Sequence, residues 1–264
     1  MDLELTGKRA LVTASSGGIG AAIAETLAAE GGIVAVHGRG AERAEAQAER
    51  IRSAGGRAET VVGDLLDPAA ADRVAAWARD WNADILVNNA GPFSENDWDA
   101  ADVDAWTRAM NSNVVTAVRL IRAVTPGMRE RGFGRVINLG SRAATTPLSN
   151  MVDYSAAKAA VVNLTTGLAS HLSGSGVTAN TVSPGVIVTE SMRRMFTDSA
   201  PSRGWPTDWA ELEPVLAAEY APNPSGRLGV PDDIAAAVAF LASPRGGFIN
   251  GVNLRVDGGV TGVA

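Results

Sequence analysis

Short apolar, β-branched runs alternate with longer alanine-rich stretches along the whole chain. Arg9–Thr13, Ile33–His37, Glu59–Val62, Asp84–Asn88, Arg135–Leu139, Val177–Val182 and Val252–Val256 read as strands. Between them the apolar residues recur at helical spacing, as at Ile23 and Leu27 with the alanines around them. Strict alternation of strand and helix requires parallel pairing through right-handed crossovers. Strands that are apolar on both faces belong in a sheet covered on both sides. The pattern predicts one doubly wound α/β domain spanning residues 1–264, a seven-stranded parallel sheet with helices on both faces.

One stretch breaks the rhythm. Glu190 to Gly226 holds Pro201, Pro206, Pro214, Pro222 and Pro224 together with Trp205, Trp209, Met192, Met195, Phe196 and Tyr220. An apolar insertion broken by proline at the carboxyl end of a strand reads as a lid over a ligand rather than as a linker.

Composition then removes whole classes of function. The chain has 264 residues, 46% hydrophobic and 20% charged, enough for a sizeable core. Its net charge of −6 leaves no excess of basic residues to neutralise a phosphate backbone, so no nucleic-acid partner is expected. The absence of cysteine excludes disulfides, thiolate nucleophiles and Cys-ligated metal sites. His37 and His171 lie far apart in sequence and no paired-His spacing occurs, so no metal site is expected. The first ten residues carry acids where a secretory signal would carry positive charge, and the longest unbroken apolar run, Ile234 to Ala242, is far short of the ~20 residues that span a bilayer. A cytoplasmic protein without a membrane partner is the expectation.

Directly after the first strand, Thr13-Ala14-Ser15-Ser16-Gly17-Gly18-Ile19-Gly20 opens a helix. Glycines let the backbone approach a pyrophosphate, and the free N–H groups and positive end of a helix hold its charge. A tight turn with no ligand is the alternative. At the end of the second strand, Val36-His37-Gly38-Arg39 places no carboxylate where the ribose hydroxyls of NAD would want an acceptor. It offers a guanidinium instead, suited to the 2′-phosphate of NADP(H). A solvated Arg39 paired with Glu42 remains the plainer reading.

Only two lysines occur, and Lys158 follows Tyr154 by four residues, which puts both side chains on one helix face. An ammonium near a phenol favours the phenolate, so the tyrosine pKa is expected to fall from ~10 toward the range of a working acid or base.

These residues carry a resemblance that runs from Leu5 to Val260. The chain resembles the short-chain dehydrogenase/reductase family, whose Rossmann fold agrees with the sheet predicted above. Thr13 to Gly20 is similar to the family's T-G-x-x-x-G-x-G turn, Asp64-Leu65 to its adenine contact, and Asn88-Asn89-Ala90-Gly91 to its N-N-A-G. Ser141 stands where the family keeps its catalytic serine, and Asn113 resembles its active-site asparagine, with Asn111 as a rival. Ser183-Pro184-Gly185 with Thr189 resembles P-G-x-x-x-T, and segments 226–235 and 256–259 complete the pattern. The resemblance implies an NADP(H)-dependent oxidoreductase that passes hydride between nicotinamide and a ketone or secondary alcohol. Tyr154 would be general acid/base, Ser141 a donor to the same oxygen, Lys158 the residue that tunes the phenol and holds the ribose, and Asn113 the anchor of a water behind Lys158. Ser141 could instead merely cap the strand end.

By the same resemblance, Thr13, Ser15, Ser16, Gly18, Ile19, Gly20, Arg39, Asp64, Leu65, Asn89, Ala90, Gly91, Tyr154, Lys158, Pro184, Gly185, Val186, Ile187 and Thr189 would contact the cofactor. Ala14 departs from the pattern. It replaces the turn's first glycine, so its backbone is expected to keep a negative φ and cofactor affinity to suffer.

Basic residues where an acyl-carrier protein would dock are sparse, and six acids face three arginines across residues 190–226. This favours a small or medium, fairly apolar ketone. A 3-oxoacyl-carrier reductase, an NAD-dependent alcohol dehydrogenase and a catalytically silent dinucleotide-binding regulator are the alternatives. A serine hydrolase is disfavoured because no G-x-S-x-G occurs. Val114, Val115, Ala117, Val161, Val162 and Leu164 exceed what one helix face needs, which predicts a homodimer or homotetramer.

Overall fold

The computed structural model describes residues 1–261. Seven strands, β1 (Arg9–Val12), β2 (Ile33–Gly38), β3 (Arg57–Val62), β4 (Ile85–Asn88), β5 (Gly134–Leu139), β6 (Val177–Pro184) and β7 (Asn253–Val256), form one sheet in the order β3-β2-β1-β4-β5-β6-β7. Every neighbouring pair is parallel, as the alternation of strand and helix requires. Strand ends differ from the sequence reading by a residue or two, and β6 runs on to Pro184.

Alternating residues serve opposite faces. Val12, Val34, Val87 and Ile137 join one core with Ile23 and Leu27 of α1 (Gly18–Ala29) and Ile234 and Val238 of α9 (Pro231–Ala242). Leu11, Ala35, Leu86 and Val136 join the other with Val74 of α3 (Pro68–Asp80) and Leu120 and Val124 of α5 (Thr116–Glu130). Removing a fully buried leucine from either core, such as Leu27 from the first or Leu86 from the second, costs about 2–5 kcal/mol, so both layers hold the sheet. No helix among the described residues is long and apolar enough to cross a membrane.

Residues 190–226 form helices rather than an irregular loop. α7 (Glu190–Ser199) and α8 (Trp209–Val215) enclose a small core of Phe196, Ala200, Leu212 and Leu216, with Trp205 and Trp209 packed against it. Pro201 opens a short 3-10 turn, Pro206, Pro222 and Pro224 lie between helices, and Pro214 sits inside α8 just before a π-helical turn at Leu216–Tyr220, so the segment is a packed flap at the carboxyl end of β6.

The strand order reverses between β1 and β4, each followed by a chain that departs to a different side. Ligands of doubly wound sheets bind outside the carboxyl ends of strands at such a point.

Candidate active site

Two cavities meet at this crevice. One, of about 510 Å³, runs from Arg39 and Arg43 past Asp64 to Asn89 and Gly91. The other, of about 530 Å³, continues from Asn89 and Gly91 to Ser141, Tyr154 and Lys158 beneath Met192 and Met195 of the flap.

The glycine-rich turn forms the floor of the crevice. Ser15 Oγ donates to Val12 O (2.7 Å), and Thr13 Oγ1 accepts from the backbone N–H groups of Asn89 and Ala90 (2.9 Å each), which ties the turn to the end of β4. No side chain caps α1 at Gly17, so its first-turn N–H groups, including those of Gly18, Ile19 and Gly20, are available to an anion. A Cβ on Gly20 would lie 2.5 Å from Asn89 Nδ2 and 2.6 Å from Ala14 O, so this position admits only glycine. Gly18 has a φ of 58°, and Thr189 on the flap lies across the crevice from it.

Ala14 corrects the sequence expectation. Its φ is 52°, in the left-handed region a glycine would occupy, not the negative value predicted for an alanine. Tertiary bonds hold it there: its N–H donates to His37 Nδ1 (3.0 Å), and its carbonyl accepts from Asn89 Nδ2 (3.3 Å). The loop therefore keeps the shape of its glycine counterpart.

Asp64 accepts from Leu66 N–H (3.0 Å), which fixes the loop where Asp64 and Leu65 line the first cavity. Arg39 is exposed beside that cavity, and no ion pair joins it to Glu42 among the described residues. Sequence reasoning missed Arg43, in the first turn of α2 (Ala41–Ser53). Its guanidinium approaches the Gly17 turn, with Nη2 3.4 Å from where a Gly17 Cβ would stand. The spacing of four from Arg39 was the available signal.

At the other end, Tyr154 and Lys158 share the inner face of α6 (Val152–His171). Lys158 is 3% exposed, its ammonium donates to Leu139 O (2.8 Å), and it stands 5.6 Å from the centre of the Tyr154 ring. Burial lowers the Lys158 pKa to about 8. Ser141 Oγ accepts from Ala143 N–H (3.1 Å) and also hydrogen-bonds the Tyr154 phenol, so the serine caps a turn and serves the site at once.

The phenol itself departs from expectation. Burial raises its pKa above 10, and the hydrogen bond with Ser141 only partly offsets this. The ammonium expected to lower it is spent on the Leu139 carbonyl, and desolvation wins.

Asn113 lies in a π-helical turn, Asn111–Val115, ahead of α5. Its Nδ2 donates to Ala109 O (3.0 Å), while its buried Oδ1 has no partner among the described residues. A Cβ on Gly91 would lie 2.5 Å from Asn113 Oδ1 and 3.0 Å from Lys158 Nζ, so the amide oxygen and the ammonium flank the same spot. Asn111 is exposed and lines a different groove from the one that holds Tyr154 and Lys158. Pro184, Gly185, Val186, Ile187 and Thr189 line the second cavity opposite Tyr154.

Two further features were not legible. Phe93 packs edge-on to Tyr154 with centroids 6.3 Å apart, and Glu95 lines the same cavity. Their loop is clamped by Asp153, a buried carboxylate that accepts from Ser94 Oγ and Asn96 Nδ2 (3.1 Å each) and from Tyr154 N–H (2.9 Å).

Residues 13–261 match the family model described as enoyl-(acyl carrier protein) reductase. The chain is 37% identical to 3-oxoacyl-[acyl-carrier-protein] reductase of Vibrio cholerae, covering 98% of this chain and 99% of that protein. It is 35% identical to gluconate 5-dehydrogenase of Gluconobacter oxydans, over 98% and 96% of the two chains. The protein belongs to the short-chain dehydrogenase/reductase family. Among solved structures it is similar to L-sorbose reductase of Gluconobacter frateurii in complex with NADPH and L-sorbose, with a TM-score of 0.93, 33% identity and full coverage of both chains. As a family member it is an oxidoreductase. The relatives are named for different substrates, so family alone leaves the substrate to be argued from the cavity.

Proposed function

We propose that the protein is an NADP(H)-dependent oxidoreductase that interconverts a small or medium ketone and its secondary alcohol, with Tyr154 as the general acid/base. The observation that carries this reading is the convergence of Ser141, Tyr154 and Lys158 on a cavity continuous with a crevice that ends at two arginines. The residues present fit a dinucleotide: an uncapped helix start, a glycine that no other residue could replace, and an orphaned buried amide oxygen beside the lysine. NADP(H), when bound, supplies or takes the hydride. Thr13 to Gly20 would hold its pyrophosphate, Arg39 and Arg43 its 2′-phosphate, Asp64 and Leu65 its adenine side, and Pro184 to Thr189 its nicotinamide amide.

In the reducing direction the Tyr154 phenol gives its proton to the substrate oxygen as negative charge builds there. The Ser141 hydroxyl donates to the same oxygen. Lys158 as ammonium stabilises the tyrosinate left behind, and the free Asn113 Oδ1 offers an acceptor for a water through which Lys158 recovers a proton. The raised phenol pKa keeps Tyr154 protonated at neutral pH, which suits proton donation and hence reduction.

Phe93, Leu148, Met151, Met192, Met195 and Tyr220 give the cavity a mainly apolar wall, which supports a ketone with an apolar flank. A polyhydroxy ketone is the second reading, favoured by Glu95, Arg142 and Ser191 on the same wall. The test is NADPH oxidation, followed by absorbance, across alkyl and aryl ketones, ketoses and an acetoacetyl thioester. Turnover of the thioester alone would make the carrier-linked reading the right one, and turnover of none would refute the proposal.

The flap of residues 190–226 is read as a substrate lid, and the protein as a cytoplasmic homodimer or homotetramer. Of the residues expected at an interface, Ala117 and Val161 lie in the protein's own core, while Val115 is exposed. Val103 (80% exposed), at the start of α4 (Val103–Met110), and Trp98 (74%), ahead of it, are further large apolar side chains left open to solvent. Sedimentation at micromolar concentration giving a mass near 27 kDa would overturn the assembly.

A further inference from the structure

His37 sits one residue before the end of β2, 2% exposed, on the wall of the first cavity. Both ring nitrogens are engaged. Nε2 faces Gly63 O at 3.0 Å, and Nδ1 faces the N–H of Ala14 at 3.0 Å. A carbonyl only accepts, so Nε2 carries the proton, and an N–H only donates, so Nδ1 is bare. Only the neutral ring in this one tautomer satisfies both neighbours.

The turn is tied to β2 by other bonds that owe nothing to the imidazole. Ser15 N–H donates to His37 O (2.8 Å) and His37 N–H donates to Ser15 Oγ (2.9 Å), while Gly63 N–H donates to Gly38 O (3.1 Å) and ties the end of β3 to β2. Replacing the side chain leaves all of these in place. What it removes is the bond to Gly63 O, whose residue stays tied to β2 through its own N–H, and the bond to Ala14 N–H, the residue that stands at φ 52° without a glycine's freedom. The Ala14 carbonyl in turn packs against Gly20, whose first-turn N–H faces the crevice.

We propose that His37 is a positioning residue for the dinucleotide: its neutral imidazole keeps Ala14 in a glycine-like conformation, and protonation of the ring releases the turn and weakens NADP(H) binding. This rests on the cofactor reading above. An imidazolium would turn an Nδ1–H toward Ala14 N–H, setting two donors against each other and breaking the bond that holds Ala14. The charged groups that face the ring are Asp64, from the loop after β3, which favours the imidazolium, and Arg39 and Arg43 across the cavity, which oppose it. Burial outweighs Asp64 and the Gly63 carbonyl and holds the His37 pKa below its ordinary 6.5. The release therefore comes on the acid side of neutrality.

Three variants test this, with NADPH affinity read from the change in nicotinamide fluorescence between pH 8 and the acid limit of folding, and folding checked by thermal melts. His37→Leu is expected to weaken NADPH about tenfold at neutral pH, one hydrogen bond's worth. On an Ala14→Gly background the same substitution should change affinity by about twofold or less, because glycine holds the turn unaided. His37→Asn places an amide oxygen where Nδ1 stood, so it should bind NADPH nearly as the wild type does and lose the wild type's weakening in acid. Equal losses with and without the Ala14→Gly substitution, or an acid limb retained by His37→Asn, would overturn the proposal. If His37→Leu fails to fold, the His37→Asn pH profile alone decides. A wild type that binds neither NADPH nor NADH at any pH would instead refute the cofactor reading, and that is seen before any variant is made.

Discussion

Removing Arg39 should cost NADPH far more than NADH, and the structure sets how much. Both Arg39 and Arg43 are exposed at the mouth of the first cavity, so a phosphate held there remains partly in water. A charge-assisted hydrogen bond is worth ~1.5–3 kcal/mol when protected, and an exposed ion pair ~0.2–1 kcal/mol. A value of about 1.4 kcal/mol per arginine lies between them and corresponds to about tenfold in affinity. Arg39→Ala should therefore raise KM for NADPH about tenfold and leave NADH nearly unchanged, with Arg43→Ala similar because its guanidinium lies beside the Gly17 turn. Together they should cost roughly 10- to 100-fold, since two donors to one phosphate are not independent. Raising ionic strength to 1 M, where the screening length falls to ~3 Å, should shrink the NADPH advantage severalfold. Gly38→Asp should shift preference toward NADH by adding a carboxylate. Its Cβ would stand 3.1 Å from Ser16 Oγ, so that hydroxyl has to rotate aside. The assay is kcat/KM for both cofactors at two salt concentrations. Equal efficiencies in the wild type, or an Arg39→Ala enzyme that loses both activities alike, would refute the argument.

Tyr154→Phe should lower kcat by at least about 10²-fold while NADPH affinity stays within about twofold, because only the proton donor is lost; Lys158→Ala should damage both, and stopped-flow turnover with fluorescence titration separates them. At saturating NADPH, kcat for ketone reduction should be constant below pH 8 and fall above it, because the Lys158 ammonium has a pKa of about 8 and the neutral amine no longer stabilises a tyrosinate. The sign for stability is opposite: burial of the ammonium is a penalty in full below pH 8, relieved as pH rises from about 8 toward 10.5, and Lys158→Met should remove both dependences in rate profiles and melts. Asp153→Ala removes the shared acceptor of three donors, so the Phe93 loop should loosen, KM for ketone rise and Tm fall while NADPH affinity holds, as kinetics and melts would show.

The sheet was legible because its signal is local. Residues such as Leu11 and Val12 must each find an apolar layer, and only a doubly covered parallel sheet supplies two. Ser141, Tyr154 and Lys158 were legible for a related reason, since their spacing fixes them on one helix and one adjoining strand end. Ala14 was not. Its own preference is for negative φ, and the bond that overrides it comes from His37, 23 positions away. Arg43 and Asp153 escaped for a different cause: each looks like a solvated helix residue until the fold turns one toward Gly17 and buries the other against Ser94 and Asn96.

The phenol pKa failed to follow the sequence argument because an ammonium acts through where it points. Four residues of spacing bring Lys158 to the same face as Tyr154, but its charge is directed at Leu139 O, and both groups lose water on burial. Desolvation pushes an acid up and a base down, so phenol and lysine move in opposite directions from their ordinary values of 10 and 10.5, the tyrosine ending above the lysine. The order matters for the chemistry. A proton donor above a cation that titrates near 8 stays loaded throughout the neutral range, and the first group to fail on the alkaline side is the lysine. The pair is thus set for giving a proton to a forming alkoxide. Running the reaction as an oxidation requires the phenolate that burial disfavours, so oxidation of the alcohol should speed up with pH toward about 8, while the Lys158 ammonium is still there to stabilise the phenolate and reduction stays constant. Parallel pH profiles in the two directions would show that some other group carries the proton.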